Sequence, residues 1–143
     1  MESRIATGAD AELIMKLYDL RREPVLRKAR HWVAFDFNPK TKDEFLAVRQ
    51  DFGSEHNAWL RQVITYWEMA ASFVNHGAVN PDMYLDSNGE GIFIYAKFHE
   101  IMQSPEATTG PKFMQQTATL IEKFPGARER FQASLKGMQA RKA

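Results

Sequence analysis

The chain of 143 residues contains no cysteine. That absence excludes disulfides, thiolate metal ligands and cysteine nucleophiles together, and it fits the residue usage of a reducing cytoplasm. Long apolar runs are missing as well. The opening MESRIATGADAELIM scatters acidic and basic residues, so neither a signal peptide nor a transmembrane span is expected there. Charge of one sign is not in excess: 19 Lys and Arg stand against 18 Asp and Glu, a formal +1. Net charge therefore gives no reason to expect nucleic acid or an anionic membrane surface.

Motifs that carry chemistry are also lacking. The four histidines, His31, His56, His76 and His99, are preceded three positions earlier by Lys28, Gly53, Phe73 and Ala96, so the Glu-x-x-His spacing of carboxylate-bridged bundles does not occur. His99-Glu100 is followed by Gln103 where a zinc protease would place its second histidine. Gly89 and Gly91 make a Gly-x-Gly without the third glycine, and no Gly-x-Ser-x-Gly elbow is present. No catalytic residue, metal ligand or cofactor is assigned.

What the chain does have is SEHNAWLRQVITYWEMAASFVNHG, Ser54 to Gly77. At 100° per residue, Arg61, Thr65, Glu68, Ser72, Asn75 and His76 share roughly 100° of arc. Apolar side chains from Trp59 to Val74 cover roughly 220°, about twice the stripe of a surface helix. Such a rod needs neighbours on two or three sides. The expected fold is all-α: one domain over residues 1–143, a bundle of five to seven helices around residues 54–77. A chain of this length buries about 70% of the surface its unfolded form exposes, which suffices for a core without staples.

The other segments follow from caps and breakers. Thr7 or Asp10 caps a first helix over about 10–22, and Glu23-Pro24 opens a second, with Val25, Leu26, Ala29, Trp32 and Val33 inward. The two could instead be one kinked rod. Asn38-Pro39 ends that segment, and Thr41 with Glu44 forms a capping-box pattern for a short helix closed by Gly53-Ser54. Gly77 terminates the central rod, and Asn80-Pro81 starts the next. Over 83–98, Asn88-Gly89 between aromatic and branched runs is a hairpin signal, but the spacing of Tyr95, Phe98 and Met102 favours helix. SPEATTGP, residues 104–111, reads as a loop. Phe113, Thr117, Leu120, Ile121 and Phe124 form one helical face, Pro125-Gly126 breaks the chain, and Ala127, Phe131, Leu135 and Met138 line a last helix whose ARKA tail should fray.

Two polar constellations stand out. Arg61, Glu68, Ser72 and His76 on the central rod could line a cleft with acid-base potential, or form a solvated edge, or a satisfied network between helices. Arg27, Lys28 and Arg30, with Arg21 and Arg22, form the densest basic cluster and could hold phosphates. Against that, Asp19, Glu23 and Asp36 lie close, and no aromatic platform alternates with the basic residues.

The order of segments resembles a family of small bacterial all-helical proteins classed as a domain of unknown function. The likeness is carried by LYDLRREPVLRKARHWV at 17–33 and TYWEMAASFVNHGAVNPDMYLDSNGEGIFIYAKF at 65–98, with Trp67-Glu68, Gly77, Asp82 and Asp86 at the family's aromatic-glutamate pair, glycine stop and acidic turn. The resemblance implies helix over 83–98 and no particular activity. Many relatives look membrane-anchored by an N-terminal span, from which this chain departs. The functional expectation is a non-enzymatic module that binds a protein partner or itself as a homo-oligomer. A ligand-binding or enzymatic cleft on the polar face of the central helix is the alternative, and a nucleic-acid accessory factor, though unlikely on charge, is the third.

Overall fold

The central rod is α4, Glu55–Asn75, an unbroken helix of 21 residues in the computed structural model, which describes residues 4–103 and 113–142. Its boundaries are local chemistry. The Ser54 hydroxyl accepts from the Asn57 N–H at 3.1 Å at the start. At the end, Gly77 takes a φ of +82°, its N–H bonds to the Val74 carbonyl, and the Ala78 N–H reaches back to Phe73. That paired closure needs a left-handed residue, which glycine adopts without a Cβ clash.

Leu60, Val63, Tyr66, Trp67, Ala70, Ala71 and Val74 of α4 are buried. They are covered by α2 (Pro24–His31), α3 (Lys42–Arg49), α6 (Glu90–Met102) and α7 (Gln115–Lys123), so neighbours lie on several sides as the apolar girth demands. Helix α6 comes close to α4 at Gly91. A Cβ there would stand 3.2 Å from Cβ, Cγ and Cδ2 of Trp67, so the absence of a side chain lets the α6 backbone lie against the indole. Phe37, Phe45, Phe98 and Phe113 meet tilted or edge to face at the α3 end of this core.

Among the described residues there are eight α-helices and no strand. The count exceeds the expected five to seven because the stretch after Gly77 is two helices, α5 (Pro81–Ser87) and α6, rather than one. Asn88-Gly89 is thus a helix-to-helix turn. The Asn88 side-chain amide donates to the Tyr84 carbonyl at 3.0 Å and closes α5, which is why a dipeptide suited to hairpins sits inside an all-helical chain. The helical reading of 83–98 holds, with that break.

Helix α1, Gly8–Arg21, and α2 are separate, divided by Arg22-Glu23. Pro24 occupies the first turn of α2, and the Glu23 carboxylate accepts from the Val25 and Leu26 N–H groups at 3.1 and 2.8 Å. Ala29 and Val33 are buried as expected, but Val25 is exposed, because no described element covers that side of the first turn of α2. From Trp32 to Asp36 the helix widens into a π turn. Thr41 caps α3 through the Glu44 N–H at 3.1 Å, while the Glu44 carboxylate accepts from the Lys40 N–H at 2.6 Å, one residue earlier than the usual capping box. The expected loop at 104–111 lies outside the described residues. Helix α8, Pro125–Lys142, remains helical to its last described residue, so Ala140 to Lys142 do not depart from it.

Candidate functional site

The polar stripe of α4 does not gather into one cleft. Fifteen residues separate Arg61 from His76, roughly 22 Å of helix. Arg61 is exposed and its Nε donates to Asn57 Oδ1 at 2.9 Å. His76 is exposed and forms the C-cap, its N–H bonded to the Ser72 carbonyl at 2.9 Å. Ser72 is half-buried. Only Glu68 enters a dense network. Its carboxylate accepts from the Gln116 N–H at 2.8 Å, the Thr117 N–H at 2.9 Å and the Thr117 hydroxyl at 2.7 Å. These are the free donors at the start of α7, whose own cap residue, Met114, has a φ of +45° and offers no side-chain bond. Glu68 is therefore the N-cap of another helix, supplied from 48 residues away, and its charge suits the positive end of the α7 dipole. Further along α4, the Asn75 amide donates to the Gln116 carbonyl and side chain, and Lys123 Nζ donates to the Asn75 carbonyl at 3.0 Å. Through Glu68 and Asn75 alone, the stripe ties α4 to α7.

The basic cluster is likewise divided. The Arg30 guanidinium makes a two-pronged bond to Glu90, at 2.7 Å from Nε and 3.1 Å from Nη2, and also donates to the Arg21 carbonyl. The Trp67 indole N–H joins the same carboxylate at 3.0 Å. Arg30 thus links α2 to α6 over the central tryptophan. Arg27 donates to the Arg22 carbonyl at 2.9 Å, and Lys28 is exposed. Arg21 turns inward to Asn88 Oδ1 at 2.5 Å, with its guanidinium 5.0 Å from the Tyr18 ring centre. The three residues Arg27, Lys28 and Arg30 do not point at one anion site.

Sequence reasoning missed two groups. Asp10 is fully buried and holds Arg4 through two short bonds of 2.6 and 2.5 Å, while its oxygens also accept from the Thr7 and Asn80 N–H groups at 2.7 and 2.9 Å. The bonds from Arg4 and Thr7 hold its carboxyl well below the usual carboxylate range. The segment before α1 is thereby fastened to the α4–α5 turn, and the Thr7-x-x-Asp10 spacing was the only local signal for it. The second group is Lys97 of α6, whose Nζ donates to the Val33 and Ala34 carbonyls at 2.9 and 3.0 Å, inside the π turn. Burial pushes this amine down to about 8. A widened turn leaves carbonyls poorly partnered within the helix, and Lys97 satisfies them from outside.

Among the described residues, no group of three or more His, Asp or Glu side chains is placed to hold a metal ion. No described helix is long and apolar enough to cross a membrane.

The surface feature that these networks do not absorb is the outer side of α1. Leu17 is its buried apolar side chain, and the Tyr66 hydroxyl donates to the Leu17 carbonyl. Away from that contact Met15 is 70% exposed and Tyr18 52%, while Leu20 and Leu13, on the flank beside Leu17, are exposed to 46% and 37%. An open groove of about 630 Å³ runs along this helix to the end of α5, lined by Met15, Tyr18, Arg21 and Asn88 among others. Four charged residues, Glu12, Lys16, Asp19 and Arg22, frame it and form no ion pair among the described residues.

No curated protein and no solved structure matches the chain. A family does match, over residues 6–124, which takes in everything from the clamp at Asp10 through the Glu68-capped α7 and stops just before α8. The chain belongs to the domain of unknown function DUF4760.

Proposed function

We propose that this protein is a non-enzymatic interaction module that docks through α1. The observation that carries the reading is the exposure of Met15 and Tyr18 on the outer side of α1, along the open groove that reaches Asn88. Single exposed apolar residues are ordinary on any surface, but a methionine and a tyrosine one turn apart beside an open groove form the kind of patch that marks a contact site. Polar residues that could have served a reaction are instead occupied: Glu68 caps α7 and Arg30 pairs with Glu90. The cysteine-free composition suits a reducing compartment, and we place the module in the cytoplasm.

A photoreactive side chain at Met15, activated in cells, tests the reading, with the same group at the exposed Gln132 of α8 as control. The expected result is a defined cross-linked product from position 15 that disappears when Tyr18→Asp is added, and none from position 132. Absence of any product from position 15 would reject α1 as a docking helix.

A further inference from the structure

We infer that the occupant of the α1 face is a second copy of this chain, laid antiparallel across a two-fold axis. The inference rests on the reading of α1 as a docking helix and names its partner.

The argument is the order of charges. With Leu17 pointing inward, Tyr18, Arg22, Met15, Asp19 and Glu12 fall within roughly 120° on the far side of α1, and Lys16 borders them. Along the helix the signs run negative at 12, positive at 16, negative at 19 and positive at 22. Read backwards, the order is positive, negative, positive, negative. An antiparallel copy therefore meets opposite charge at every step in one register: Glu12 against Arg22 of the partner subunit, and Lys16 against Asp19 of the partner subunit, each pair repeated by symmetry. The same register sets Met15 against Tyr18 of the partner subunit, a thioether on an aromatic ring at the centre. A parallel copy in register would set like charges together. Self-complementarity of this kind is the signature of an isologous interface. None of these four charges enters an ion pair within the described part of the chain. A contact built on one 14-residue helix is at the small end of specific interfaces, so the association should be micromolar.

Sedimentation equilibrium from about 1 to about 300 μM tests this with the whole chain. The wild type should pass from monomer to dimer. Lys16→Glu and Asp19→Lys change exposed side chains, so both variants should keep the wild-type melting temperature. Each alone should self-associate about tenfold more weakly or worse, since reversal makes two repulsive pairs. Mixed in equal amounts they should dimerise almost as well as wild type. The introduced glutamate of one chain then faces the introduced lysine of the other, while the unaltered Asp19 of the first faces the unaltered Lys16 of the second. A wild type that is monomeric throughout, or a mixture no better than either variant, overturns the second copy. If the wild type is monomeric while the Met15 photoproduct in cells is a heteromer, α1 remains a docking helix with another partner. If there is no photoproduct at all, both readings fall.

Discussion

Helices α4 and α1 both carry apolar side chains round most of their girth, yet seven apolar residues of α4 are buried and, of those of α1, only Leu17. Intrinsic apolarity does not separate them; coverage does. Four helices lie on α4, whereas α1 sits at the edge of the bundle with α5 as its main neighbour. The same residue types are core in one place and surface in the other. A helix whose outer side is left open by every described element, with Met15 and Tyr18 exposed on it, is where a partner is expected.

Substitutions should sharpen this contrast. The largest effect belongs to Trp67→Ala, which removes a side chain only 1% exposed and leaves Glu90 without its indole donor. Urea unfolding should show a loss of about 3–5 kcal/mol. Asp10→Asn should act next, because it leaves Arg4 without its anionic partner and presents an amide donor toward the Thr7 and Asn80 N–H groups. Its effect is also pH-dependent. The carboxyl of Asp10 lies lower in the folded chain than its unfolded value of about 3.9. Its contribution is therefore complete above about pH 4 and is lost as the pH falls through the lower folded value. Melting temperatures of the wild type should drop on that acid limb more steeply than those of Asp10→Asn.

Glu68→Ala should be milder, about 1–2 kcal/mol, the range for losing a helix N-cap. Amide exchange should localise the change to the first turn of α7, at Gln116 and Thr117. Smallest is Met15→Ala, within about 0.5 kcal/mol in the dilute monomer. A loss there as large as that at Trp67 would mean that α1 is as much part of the core as α4, and the contrast would vanish.

The starts of α2, α3, α4 and α5 were legible residue by residue. Thr41, Ser54 and Asn80 each bond a backbone N–H three positions on, and Glu23 does so ahead of Pro24. Gly77 ended α4 as its spacing implied. The candidate site was legible only as a set of polar residues on one side of a rod. Glu68 finds its partners at Gln116 and Thr117 on another helix, Arg30 finds Glu90, and Lys97 finds the carbonyls of the π turn. No local spacing encodes such pairings. Asn88-Gly89 is the intermediate case: its turn chemistry was visible, but whether strands or helices flank it depends on Gly91 and Ile92 packing at Trp67 and within the core.

By itself the sequence determined where α2, α3, α4 and α5 begin, where α4 ends, and that the rod at 54–77 must be enclosed, because capping bonds span three or four residues and an apolar girth has to leave water. Tertiary structure alone decided which apolar helix remained uncovered and which polar residues became caps and ion pairs. Those outcomes depend on how rods distant in the chain are laid side by side, and an end cap such as Glu68 acquires its role only when the end of another helix reaches it.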